Sequence, residues 1–228
     1  MTRLNFTERY DHMLQEMKAN PAVTLDDEHR GERREYADDL DAAIAGVATR
    51  SGISLASKYR NYAFTEKSLG CRWKIPGGDY PLRGEMHLLD VFQALNGEHA
   101  EVFLDSEDED EEEEELFDEL RIIDRTPYGG GGELAAIRRK AGTPDPEMWF
   151  YGGSDKPFRL DIGYCEYLDA LLVTKGTYGW QYLFRDLSSD NPDLGAGGWS
   201  VQMMLDIFPG LFPEHDYSDL QRRWEARQ

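Results

Sequence analysis

Cys71-Arg72-Trp73-Lys74-Ile75, followed at once by Pro76-Gly77-Gly78-Asp79, is the stretch on which the fold turns. Apolar and basic side chains alternate with the two-residue period of a half-buried strand, and the Pro-Gly-Gly-Asp that follows is turn chemistry. A second strand is expected from Glu85 to Phe92, with Met86, Leu88 and Val91 pointing inward. Strand character returns over Leu120–Ile123, Leu134–Ile137 and Met148–Tyr151, and the glycine-rich turns between these runs suggest an antiparallel meander.

On either side of the strands the period changes to that of helices. Upstream, Phe6, Tyr10, Met13, Leu14 and Met17 form one stripe, capped by Asn5 and stopped by Asn20-Pro21. A charged connection through Asp26, Asp27, Glu28 and Arg30 leads to a second helix over 35–50, bearing Tyr36, Leu40, Ala43, Ile44 and Val47. A third helix begins after Leu55 and carries Tyr59, Tyr62 and Phe64. Downstream, Tyr164, Leu168, Leu171 and Leu172 form a stripe, as do Trp180, Leu183, Phe184 and Leu187. Val201, Met204, Leu205 and Phe208 make a further one, and Leu220 with Trp224 a last short helix. The expectation is an α+β fold: one antiparallel sheet of about five to six strands with helices packed at its N- and C-terminal ends. Residues 1–228 are read as one domain, with helical extensions over 1–30 and 188–228.

With 228 residues the chain can bury a core that needs no disulfide or metal staple. Cys71 and Cys165 have no ligand-spaced partners and read as reduced core thiols. No apolar run approaches membrane-spanning length, and Met1-Thr2-Arg3-Leu4-Asn5-Phe6 lacks the apolar core of a signal peptide, so the chain reads as cytoplasmic. The net charge of −20, from 45 acidic and 25 basic residues, argues against direct contact with nucleic acid or anionic lipid. Twelve of the carboxylates lie between Asp105 and Glu119, leaving −8 for the remainder. Packed like charges repel, so 105–119 is expected as an extended, hydrated loop that serves either solubility or the attraction of a basic partner.

The other motifs are structural in character. Tyr128-Gly129-Gly130-Gly131-Gly132-Glu133 lacks the Gly-Lys-Ser/Thr ending of a phosphate loop and reads as a flexible hairpin connection. His12, His29, His87, His99 and His215 form no ligand-spaced pair. Alternation places Glu85 and His87 on one face of their strand and Asp90 on the other, so that strand alone assembles no triad. The sequence offers no cofactor loop, metal motif or activated nucleophile, and no cofactor is expected. Tyr178, Trp180 and Tyr182 are too closely spaced to share one narrow helical stripe. One or two of these rings are therefore candidates for a surface contact.

Three stretches resemble the SUKH superfamily, which includes bacterial immunity proteins that neutralise toxins and yeast cell-wall-synthesis regulators. Gly52-Ile53-Ser54-Leu55-Ala56-Ser57-Lys58-Tyr59-Arg60 is similar to the family's opening segment, with Ala56 standing where its proline is expected. The strands around Trp73 and Gly84-Glu85 follow at suitable distances. Gly130 to Ile137, Met148-Trp149-Phe150 and the helix from Tyr164 to Leu172 resemble its later strands and closing helix. The likeness spans about residues 30–187. It implies a non-catalytic immunity protein gripping a toxin domain, often a nuclease, with a regulatory scaffold holding several partners as the alternative and an enzyme of unfamiliar type as the third reading. Charge leads to a similar expectation, because a nuclease cleft is basic and an acidic protein complements it. The residues expected at such an interface are Glu107, Asp108, Asp110, Glu112, Tyr178, Trp180 and Tyr182.

Overall fold

The computed structural model describes residues 5–34, 39–77, 80–95, 111–129, 132–143, 145–153, 156–186 and 197–227, with backbone alone for 111–114. The protein is a mixed α+β fold with two antiparallel sheets and helices at both ends. The first sheet has the order β1 (Thr24–Arg30), β2 (Ser68–Ile75), β3 (Leu82–Leu89). The second has the order β4 (Leu120–Arg125), β5 (Leu134–Arg138), β6 (Glu147–Tyr151), β7 (Phe158–Gly163). Where one sheet of five to six strands was expected, the described residues form two sheets, of three and four strands. The segment read as a charged connection is β1, which pairs with β2 from Thr24↔Lys74 to Arg30↔Leu69. As an edge strand largely open to solvent it carries charge on both faces, so it shows no alternation.

The helices are α1 (Phe6–Ala19), α2 (Leu40–Ser51), α3 (Val91–Leu95), α4 (Glu111–Glu119), α5 (Tyr164–Thr174), α6 (Gly197–Leu211) and α7 (Ser218–Glu225). Asn5 caps α1 in a reciprocal box with Glu8. Asp39 caps α2, and Gly52 ends it in the left-handed region at φ 70°. Tyr59 and Tyr62, expected on a third regular helix, and Trp180 and Phe184, expected on a fifth, lie instead on short 3₁₀ turns, Ser57–Tyr62 and Trp180–Phe184, and Phe64 follows the first of them.

The inner face of the first sheet buries Leu69, Cys71, Trp73, Met86 and Leu88. Trp73 packs on Phe208 of α6 at 5.9 Å between ring centroids and donates from Nε1 to the Lys175 carbonyl at 2.6 Å. Gly84 lies opposite Trp73, and a Cβ there would come within 2.5 Å of the indole, so glycine is what lets the ring lie flat on β3. Phe6, Tyr10, Met13, Leu14 and Met17 of α1 join the same core as Val201, Met204, Leu205 and Phe208 of α6. Both terminal segments thus contribute helices to this core.

Residues 111–119, expected as part of an extended loop, are helical. Glutamate is a good helix former, and the half-buried Leu116 and Phe117 followed by the buried Leu120 give the helix a hold on the body. Residues 105–110 lie outside the described part. The strand expected over Glu85–Phe92 ends at Leu89, because Asp90 takes the N–H groups of Phe92 and Gln93 and starts α3. Among the described residues no helix is long and apolar enough to cross a membrane.

Candidate functional site

The outer face of the first sheet is polar, and register organises it in rows. His29 on β1, Gly70 on β2 and His87 on β3 are one row; Asp27, Arg72 and Glu85 are the next. Directly paired residues of an antiparallel sheet project to the same side. Gly70 has no side chain, so the two imidazoles meet above it, stacked with centroids 4.9 Å apart and planes at 20°. A Cβ at Gly70 would sit 2.9 Å from the Met86 carbonyl oxygen and 3.6 Å from the His29 Cβ. His29 Nε2 is 3.0 Å from Ser68 Oγ. Burial, reinforced by Arg125 and His29, pushes His87 down to about 4, so its ring is neutral at pH 7.

In the second row Arg72 lies against the ring of Tyr128, 5.1 Å from its centroid. Glu85 is buried and held on both oxygens: Oε1 accepts from the Tyr128 N–H at 2.9 Å and Oε2 from the Tyr178 hydroxyl at 2.8 Å. Between these rows opens a notch of about 110 Å³ whose walls include Asp27, His29, Arg72, Glu85, His87 and Tyr128. Cys71 and Met86 also border it, but their side chains belong to the inner face of the sheet.

Behind the notch is the seam between the sheets. The β3–β4 junction is closed by a side chain: Asp124, just past a bulge in β4, accepts from the His87 N–H at 3.0 Å and from the Tyr167 hydroxyl at 2.8 Å. Gln181 Nε2 donates to that hydroxyl at 3.3 Å. Burial pushes Asp124 up to about 7 against the pull of these hydrogen bonds. Glu133 is also pushed up to about 7, first by burial and then by the charges of Asp124 and Glu85. The buried Glu133 Oε2 and Gln181 Oε1 have no hydrogen-bond partner.

A second polar cluster joins the helical layers. Lys175, buried at the left-handed end of α5, donates to Glu16 of α1 at 3.0 Å, lies 3.4 Å from His215 Nε2 and stands over the Phe212 ring at 4.3 Å. Among the described residues, Glu16, Glu214 and His215 are the acid–histidine group with ligand atoms close enough to share a metal ion. The Lys175 ammonium already sits against Glu16 and supplies the positive charge there.

The rings expected at an interface are distributed differently. Trp180 is 1% and Tyr182 5% exposed, packed respectively on Tyr167 and on Phe150 and Phe158. Tyr178 is half-buried and holds Glu85. Among the described residues the exposed large rings are Tyr80, Tyr128 and Trp199, at 72%, 70% and 46%. Tyr80 and Trp199 meet edge to face at 6.2 Å. Glu107, Asp108 and Asp110 lie outside the described residues, and Glu112 is placed on α4 by its backbone. Sequence reasoning found Glu85 and His87 on one strand face but missed His29 and Asp27, which register alone brings to them. No protein family, curated protein or solved structure matches the chain.

Proposed function

We propose that the protein is a non-catalytic binding protein that holds a basic protein partner, in the manner of the SUKH-type immunity proteins its sequence resembles, with a nuclease toxin domain as the partner class. The observation that carries this reading is the charge of −20 on a folded body. Surplus carboxylates steer a basic surface toward the protein, and exposed rings such as the Tyr80–Trp199 pair give an encounter something to hold. Exposed Asp26, Asp27 and Glu28 on β1 add charge along a free strand edge. A nuclease cleft built to bind phosphate is complementary to such a surface.

The test is recovery of a stoichiometric complex from the native host, followed by association kinetics across a salt series. One dominant partner with a pI above about 9 is expected. Its association rate should fall at least about tenfold as salt rises from low to high ionic strength. An acidic partner, or an association rate indifferent to salt, overturns the proposal.

A further inference from the structure

We propose that the outer face of the second sheet, with α4 beside it, is where the protein holds its basic partner, and that the face takes an amphipathic segment, apolar on one side and edged with lysine or arginine; this rests on the reading of the protein as an acidic binder. An antiparallel sheet with one face on the core ordinarily turns a polar face outward. The first sheet does so, and the second does not. Leu134-Ala135-Ala136-Ile137 on β5 and Met148-Trp149-Phe150-Tyr151 on β6 are apolar at consecutive positions, hence on both faces. Ala135, Ile137, Met148 and Phe150 belong to the core. The alternate residues project to the other side, where register sets Ile122, Ala136 and Trp149 in one row and Leu134 with Tyr151 in the next.

These outer residues form an apolar patch of their own, of the kind that marks a contact surface. Ala136 is buried without belonging to the core, and Ile122, Leu134, Trp149 and Tyr151 are half-buried without packing on it. Phe117 of α4 joins Leu134, Trp149, Tyr151 and Pro157 in lining a shallow groove across the patch. The polar atoms of its rings are already engaged: Trp149 Nε1 donates to Glu147 at 3.2 Å and the Tyr151 hydroxyl to the Gly153 carbonyl at 2.9 Å. What the two rings offer a visitor is apolar surface, and Trp and Tyr are frequent anchors of protein interfaces. Charge selects the occupant. On the sheet Arg125, Arg138 and Arg159, with Lys156 beside Pro157, stand against Glu147 and Asp161, while Arg121 and Arg139 belong to the opposite face. The α4 helix turns this balance negative: it holds seven carboxylates and no base, and its Glu115 and Asp118 are exposed. A second copy of the chain would bring its own α4 and a net charge of −20 to the same place, which repels. An apolar segment edged with lysine or arginine meets both the rings and the helix.

The experiment has two arms. In the first, the partner is recovered from the native host with the full chain and with a Leu134→Ser, Tyr151→Ser double variant whose melting temperature is checked against the parent. Loss of the basic partner by a double variant that still folds is expected. Undiminished recovery overturns this surface and leaves the reading of an acidic binder standing. If the host yields no basic partner, that reading falls and the second arm decides this one. There a synthetic amphipathic peptide of leucine and lysine is titrated into the full chain, following the Trp149 indole resonance by NMR. One control peptide has serine for leucine, the other glutamate for lysine. A saturable Trp149 shift is expected, about tenfold or more weaker with the serine peptide and absent with the glutamate peptide. Glu115→Gln with Asp118→Asn should weaken binding of the leucine–lysine peptide at low salt. A motionless Trp149 resonance, or equal affinity for the leucine and serine peptides, overturns the proposal. So does a dimer in sedimentation that the double variant dissociates, which would make a second copy the occupant. A Trp149 shift in the chain alone when Val102, Phe103 and Leu104 are replaced by serine would make the chain's own segment the occupant, with the same consequence.

Discussion

Glu85 shows how a buried charge is kept in place by single atoms. It is 3% exposed, and its two oxygens depend on one loop N–H and one tyrosine hydroxyl. Tyr178→Phe removes one of these while preserving the ring. Unfolding in urea should show a loss of about 1.5 kcal/mol, the usual scale for a hydrogen bond to a charged group; an unchanged midpoint would show that water replaces the hydroxyl at no cost. Lys175 is a stronger case because it is the cation of its cluster. Lys175→Met fills the space but leaves Glu16 and His215 facing each other without it. Lys175 is buried but Glu16 is only partly so; the loss should therefore be about 2 kcal/mol, the scale of a hydrogen bond between charged groups, and Glu16→Gln in the same background should recover part of it. A double variant no more stable than Lys175→Met would show that packing over Phe212, and not charge, is what Lys175 contributes.

Among elements, the junction of the two sheets has the most unusual construction, since a carboxylate stands where a backbone carbonyl would close the ladder. Asp124→Ala should leave the His87 N–H without its acceptor, destabilise the fold by about 2 kcal/mol and speed hydrogen exchange at His87 ahead of the rest of β3. Uniform exchange along β3 would show that the strands are held together without Asp124. This seam also marks where legibility in the sequence ended. The stripes on α5 and α6 could be read because Tyr164, Leu168 and Leu171, and likewise Val201, Met204 and Phe208, are buried at helical spacing. The β2 strand could be read because one face is core and the other polar. Neither β1 nor α4 could be. The first is an edge strand exposed on both faces, and the second has a charge density that favours solvation until Leu116, Phe117 and Leu120 anchor it. The site inherits that limit: Asp27 and His29 lie on β1, and register, not local pattern, unites His29 with His87.

For the whole molecule, buried carboxylates set an unusual dependence on pH. Asp124 and Glu133 are raised to about 7 and Asp90 to about 6 in the folded chain, above their ordinary values, with burial the largest cause in each. Between the unfolded and folded values the native state holds more protons than the unfolded chain, so each group's stabilising effect is present at low pH and lost as pH rises through its folded value. His87 acts in the opposite sense. Its folded value of about 4 lies below the ordinary 6.5, so it adds stability as pH rises toward 6.5 and nothing beyond. Above about 6.5 the ionisation of Asp124 and Glu133 is therefore unopposed by His87, and the negative net charge acts in the same direction. The melting temperature should fall from pH 6.5 to pH 8, where many proteins change little. Salt separates the two causes, because a Debye length near 10 Å at about 0.1 M screens surface repulsion but not buried ionisation. Glu133→Gln should flatten the decline in high salt, since its amide cannot ionise and Glu133 faces Asp124 and Glu85 across the seam. A melting temperature that rises over this interval, or a slope in Glu133→Gln equal to that of the parent, would mean that the seam carboxylates are already ionised at pH 6.5.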